Sequence, residues 1–308
     1  MRAPRIYPDL MHLRLFALLV LSLAIGIRPA IAQTEPTPPG QGKPEPIFFA
    51  PEVDAGFRLL YELRFSEARE RFAMWRQQHP EDPLGDVSIA ASYLFEEFYN
   101  RGVLSSDFFL NDNRLLGGIE GKIDEKQAMS FNEANRRARE IALQRLKIDA
   151  HDPGALYALT LATGMEADYL GILEKRHFDS LRLVKQAEGL AEELLIAKPD
   201  AQDARVALGT ADCLIGSLPA HERFFLKFGG IHGNKKVGLD ELRQAAEKGQ
   251  YLRPYAKLLL ALACLREKQD DMARVLLSDL SMEFPNNPLF ALELARLNIR
   301  AVSGRGGH

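Results

Sequence analysis

Four proline-bearing breaks punctuate the chain: His79-Pro80-Glu81-Asp82-Pro83, Asp149-Ala150-His151-Asp152-Pro153, Lys198-Pro199-Asp200 and Phe284-Pro285-Asn286-Asn287-Pro288. Proline has no amide hydrogen to donate and its ring collides with the preceding turn, so no helix runs through such a break. Each break follows a segment rich in alanine and leucine. Within the segments apolar residues recur three and four apart, as in Phe57, Leu60, Tyr61 and Leu63, or Leu276, Leu277 and Leu280. That is the period of a single buried helix face. Strict alternation and β-branched runs are nearly absent from Val53 to Ala301. The expectation is an all-α chain of short helices that fold back on one another.

The segments are also related to each other. The first, Phe49–Asp82, has Gly56, Phe65, Ala68, Phe72 and Pro80. The last, Pro254–Asn287, has Leu260, Ala261, Ala273 and Pro285 at corresponding places. One position recurs at Ala68, Ala138, Ala187, Leu239 and Ala273. In this pattern the chain resembles the tetratricopeptide repeat (TPR) family, in the form of an exported bacterial TPR protein. The unit of that family is a helix–turn–helix of about 34 residues. The last interval equals one unit and the three before it are longer, so three hairpins carry an enlarged turn. The resemblance implies a right-handed α-solenoid over residues 49–302, with about five TPR-like hairpins and a capping helix near Leu289–Arg300. Residues 303–308 are expected to be a disordered tail.

The amino terminus reads as an address. Residues 11–32 (MHLRLFALLVLSLAIGIRPAIA) hold a basic start at Arg14, an apolar run from Leu15 to Ile27, and Ala30-Ile31-Ala32 as a small-x-small cleavage pattern. Residues 1–32 are therefore expected to be a signal peptide, and the protein to be exported to the periplasm or cell envelope. Residues 33–48 open with QTEPTPPGQGKPEP, whose prolines favour an extended, disordered tether.

Composition narrows the function. The chain has 46% apolar and 26% charged residues, a net charge of −3 and a pI near 6.2. That balance gives no electrostatic footprint for nucleic acid. Two cysteines, Cys213 and Cys264, cannot make a four-cysteine zinc site. They occupy nearly equivalent places in neighbouring units and are expected to be free thiols.

The resemblance implies a concave groove lined by the first helix of each hairpin. On this chain the lining includes Phe57, Tyr61, Phe95, Tyr157, Leu161, Tyr255, Leu262 and Arg266. These are the residues expected to meet a protein or peptide partner. The Lys/Asn/Arg set with which some family members clamp a peptide carboxylate is missing. A lining this apolar must be covered, either by the chain's own insertions or the Ile47-Phe48-Phe49 segment, by a partner, or by an apolar ligand.

Two insertions stand out. Residues 102–129 contain Asp107, Asn111, Asp112 and Asn113, whose spacing is not that of an EF-hand loop. Residues 217–236 (SLPAHERFFLKFGGIHGNKK) interleave Arg223, Lys227, Lys235 and Lys236 with three phenylalanines, a pattern that suits peripheral contact with a membrane surface. Their glycines do not form a phosphate loop. There is no His-Glu-x-x-His, Gly-x-Ser-x-Gly or Cys-x-x-Cys motif. Glu166, Asp168 and His177 lie close together in the turn of the third unit and read as solvated polar residues. No catalytic, metal or cofactor-binding set is expected. The reading is a non-catalytic scaffold or adaptor. Two alternatives stay open: an enzyme or enzyme accessory with its site in the insertions, and a carrier of an apolar ligand.

Overall fold

The computed structural model describes residues 49–111, 114, 119, 121–216 and 232–305. Among these residues there are twelve α-helices and no strand. They are α1 (Pro51–Tyr61), α2 (Phe65–Gln78), α3 (Pro83–Asn100), the short α4 (Ser106–Leu110), α5 (Glu125–Ile148), α6 (Pro153–Asp168), α7 (His177–Ala197), α8 (Arg205–Gly216), α9 (Lys235–Lys248), α10 (Arg253–Arg266), α11 (Asp270–Glu283) and α12 (Pro288–Arg305). The signal-peptide and tether segments, residues 1–48, and most of 217–236 lie outside the described residues. No described helix is long and apolar enough to cross a membrane.

The proline breaks act as starts as well as stops. Asp82, Asp152 and Asn287 each stand immediately before a proline. Their side chains accept from the amides of Leu84 (3.0 Å), Ala155 (3.0 Å) and Leu289 (2.9 Å). An acceptor at the N-cap followed by proline at the first helical position satisfies free amides and presets the helical φ. The turns within three helix pairs share another device. Leu63, Lys175 and Lys268 all have positive φ, near 60°. For side-chain-bearing residues this left-handed conformation is costly, and it reverses the chain after a helix end.

Helices pack chiefly on their neighbours in sequence: α1 on α2, α3 on α5, α6 on α7, α8 on α9, α10 on α11, with α12 last. Small residues sit where these helices cross. Ala68, Ala138, Ala187 and Ala273 are buried. Gly56 admits the Phe72 ring, because a methyl group there would lie 2.3 Å from Phe72 Cε1. In the fourth pair the close approach falls at Gly238 rather than at Leu239. A Cβ on Gly238 would lie 2.8 Å from the Gly209 carbonyl oxygen and from the Cys213 nitrogen. Only two facing glycines let α8 and α9 come so near.

The first pair does not end free. The Tyr61 hydroxyl donates to the Tyr251 carbonyl (2.8 Å), and the Asn287 side-chain amide donates to the Tyr61 carbonyl (2.7 Å). The Tyr61 and Phe284 rings lie 5.4 Å apart, with the Arg58 guanidinium over Phe284. The first insertion makes a second bridge. Ser106 bonds Glu293 of α12, and Arg266 of α10 donates to the Phe109 carbonyl. The amino-terminal third therefore closes onto the carboxy-terminal third. Arrays in which each unit touches only its neighbours lack such contacts.

Interior acids are matched almost throughout. Asp86, with no exposed surface, is shared by Arg76 (3.3 Å) and Arg137 (3.5 Å), which ties α2, α3 and α5 together. Glu97 pairs with Arg101, and Glu293 with Arg296.

Candidate functional site

The first helices of the pairs turn their aromatic residues inward, and the eight lining residues fall into connected groups. Phe57 is buried between Phe72 (5.3 Å) and Tyr251, on which it stacks at 5.0 Å and 21°. Tyr157, 2% exposed, meets the Tyr251 ring edge-on at 6.2 Å. Tyr61 bonds the backbone of the same residue. These three surround one point, the turn 250–252.

That turn is held by Asp203, which sits in a single 3-10 turn (Gln202–Ala204) ahead of α8. Its carboxylate accepts from Tyr157 Oη (3.0 Å) and from the amides of Gln250 (2.7 Å), Tyr251 (2.8 Å) and Leu252 (3.2 Å). Burial raises the Asp203 pKa, and the four donors oppose that rise. Burial, and then the charge of Asp203, pushes the Tyr157 hydroxyl well above the usual phenol range. Gly249 is required here, since a Cβ would lie 2.5 Å from Asp203 Oδ1. This hub is structural: every lone pair is aimed at a group that it fixes.

Phe95 and Tyr255 form the second group, edge to face at 5.5 Å and 86°. Both are half-buried, as are Leu161 and Gly164 of α6 and Thr210 of α8. Leu214, one turn after Thr210, is 42% exposed. These side chains keep partial contact with solvent. Leu262 belongs to a third group. It is buried in a narrow apolar cleft with Leu104, Phe109, Leu258 and Leu265, and Arg266 closes the rim by bonding Phe109.

Glu166, Asp168 and His177 do not converge. Glu166 pairs with Arg139 at 3.3 Å, and His177 is exposed at the start of α7. Asp168, at the end of α6, is half-buried, and partial loss of hydration lifts its pKa to about 7. Its negative charge reaches Tyr255, whose hydroxyl is raised first by its own burial and then by that charge. The helix passes beyond Asp168 into a π turn, Tyr169–Leu173, with the Tyr169 ring stacked on Phe131 at 5.0 Å.

The two cysteines are free thiols. Burial pushes Cys213 up to about 11, which makes it a poor nucleophile. Among the described residues, no group of three or more His, Cys, Asp or Glu side chains is placed to hold a metal. In the described part of the second insertion, Asn234 caps α9 and Lys235 pairs with Glu267.

No family model, curated protein or solved structure matches this chain.

Proposed function

We propose that the protein is an exported, non-catalytic scaffold or adaptor, built as a right-handed solenoid of TPR-like hairpins, which binds a protein or peptide on its inner face. The carrying observation is the accessible part of that face. Phe95, Leu161, Thr210, Leu214 and Tyr255 keep solvent contact although the amino-terminal third closes onto the carboxy-terminal third. Aromatic and aliphatic side chains held on rigid helices, with a polar hub behind them, suit recognition of an extended or helical segment. The helix pairing, the small residues at helix crossings and the repeated left-handed turns support the repeat reading.

Export rests on residues 11–32, and the periplasm or cell envelope is the working compartment in this reading. The basic, phenylalanine-bearing segment 217–236 would add a peripheral membrane contact. The test is to isolate the tagged full-length protein from the envelope of the cell that makes it, and to identify bound proteins and lipids by mass spectrometry. A stoichiometric protein partner is the expected result. Bound lipid without protein would replace the adaptor reading with that of an apolar-ligand carrier.

A further inference from the structure

The first insertion does more than bridge the chain ends: it seats a short segment in an apolar groove. Leu104 and Phe109 line one cleft with Leu258, Leu262 and Leu265 of α10 and Leu277 of α11. Polar contacts hold the segment along its length. The Ser106 hydroxyl donates to the Glu293 carboxylate, and both residues are buried. Asp107 pairs with Arg296 at 3.5 Å, and Arg296 also pairs with Glu293 at 2.9 Å. Arg266 donates to the Phe109 carbonyl. Apolar contacts, a hydroxyl, a carboxylate and a main-chain carbonyl are what a groove between helices uses to read a short peptide. This groove already holds one, contributed by the chain itself.

Two observations separate this occupant from the wall that it covers. The fit is incomplete. An apolar cleft remains between the segment and the leucines of α10, whereas protein interiors are close-packed. The attachment of the insertion is also independent of the groove. Gly102 and Gly121 flank it with left-handed φ of 68° and 97°, and a Cβ on Gly102 would meet nothing within 4 Å. Arg101 ties the two ends together, pairing with Glu97 and donating to the Lys122 carbonyl. The base of the insertion therefore stays closed when the segment leaves. Phe108, 2% exposed, anchors the segment to the main core, so the covered form dominates in the free protein. Release would bare an apolar strip along α10 that a similar segment would cover again.

We propose that the groove between α10 and α12 is a peptide-recognition site held closed by residues 104–109, and that its partner is a protein segment of the same chemistry. That segment has an aliphatic residue, a serine or threonine, an acidic residue and an aromatic residue at the places of Leu104, Ser106, Asp107 and Phe109. The inference rests on the reading of the inner face as a protein-binding surface, and extends it to the part that the insertion covers.

The test uses the full-length protein and a labelled peptide with the sequence of residues 102–111, acetylated and amidated. Binding is read by fluorescence anisotropy. The wild type should bind the peptide. Ser106→Ala/Phe109→Ala loosens the resident segment and should bind it about tenfold more tightly, because apparent affinity scales with the open fraction. If circular dichroism shows that variant to be unfolded, Ser106→Ala alone takes its place, with a gain of about threefold. A peptide with alanine at the places of Ser106 and Phe109 should bind neither protein. A benzophenone at the place of Leu104 in the peptide should label residues 258–265. No binding to the wild type, a variant affinity no higher than that of the wild type, equal binding of the alanine peptide, or labelling outside the groove would overturn the proposal and make the segment a fixed part of the fold. Such a failure, with a protein still co-purifying with the wild type, leaves the scaffold reading standing. If no protein co-purifies with either form, the scaffold reading fails, whatever the peptide does.

Discussion

Tyr157 donates a hydrogen bond to Asp203 across 3.0 Å of buried interior, and through that carboxylate α6 is joined to the turn that opens α10. The two residues are 46 positions apart. Between them they decide where the third and fifth helix pairs meet, because Asp203 holds three consecutive amides, Gln250, Tyr251 and Leu252, in a fixed array.

Removing the acceptor should therefore hurt more than removing one donor. Asp203→Ala leaves a hydroxyl and three amides unmatched, and is expected to cost about 3–5 kcal/mol. Tyr157→Phe removes one hydrogen bond and should cost about 1 kcal/mol. Denaturant unfolding of both variants and of the double variant checks this. The double variant should be no less stable than Asp203→Ala alone by more than a few tenths of a kcal/mol, because the pair acts as a unit.

Gly56 is constrained by volume, not by backbone conformation. Alanine is normally favoured over glycine within a helix by roughly 1 kcal/mol. Here the added methyl would overlap the Phe72 ring. Gly56→Ala is expected to destabilise by about 1–3 kcal/mol. Gly56→Ala with Phe72→Leu should be less damaged than the sum of the two single changes, as measured by thermal melting.

Asn287 works at both ends of the chain at once. Its Oδ1 caps α12 and its amide holds the Tyr61 carbonyl of α1. Asn287→Ala should cost about 1–3 kcal/mol, the sum expected for a cap and a long-range hydrogen bond. Hydrogen exchange should accelerate together in α1 and α12, more than two hundred residues apart. Acceleration confined to α12 would show that closure does not couple the ends.

Asp168 gives the stability a pH dependence with a definite sign. Its folded pKa is raised by partial loss of hydration to about 7, above the unfolded value. The folded state therefore binds its proton more tightly, and its contribution is fully present below about pH 4 and lost as pH rises through about 7. Asp168→Asn cannot ionise. It should be less affected by the same rise, and more stable than wild type at pH 8 by an amount on the order of 1–3 kcal/mol. Denaturant midpoints from pH 4.5 to 8 measure this.

Much of the helical organisation is legible in the chain, because its signals are local. Proline after an Asp or Asn cap, apolar residues at spacings of three and four, and an alanine at each crossing are all short-range marks. Ala68, Ala138, Ala187 and Ala273 are buried as their spacing suggests. The fourth pair departs by one residue. Matching the repeat points to Leu239, while backbone approach selects Gly238 opposite Gly209. Closure of the chain ends leaves no periodic trace, since Tyr61, Tyr251, Phe284 and Asn287 become neighbours only when the stack has formed. For the same reason most of the eight lining residues are engaged with other parts of the chain. Phe57 and Tyr157 are core, Tyr61 is a brace, Leu262 is covered by the insertion and Arg266 binds the Phe109 carbonyl. Asp203 carries no local mark of its role, since the hydroxyl and the three amides that it holds lie 46 to 49 residues away in sequence. Glu166, Asp168 and His177 are close in sequence but not in surroundings: Glu166 and Asp168, two residues apart on α6, point to different sides of the helix, and His177 comes only after the π turn.

The account stands or falls on whether a protein docks on the inner wall. The most direct measurement is photo-crosslinking in the living cell, with a photoreactive residue at Leu214, on the face proposed to bind, and separately at Ile148, which is 90% exposed at the end of α5. The account predicts a discrete crosslinked protein from position 214 and none from position 148. Crosslinks from position 148 alone, or no crosslinked protein from position 214, would contradict it.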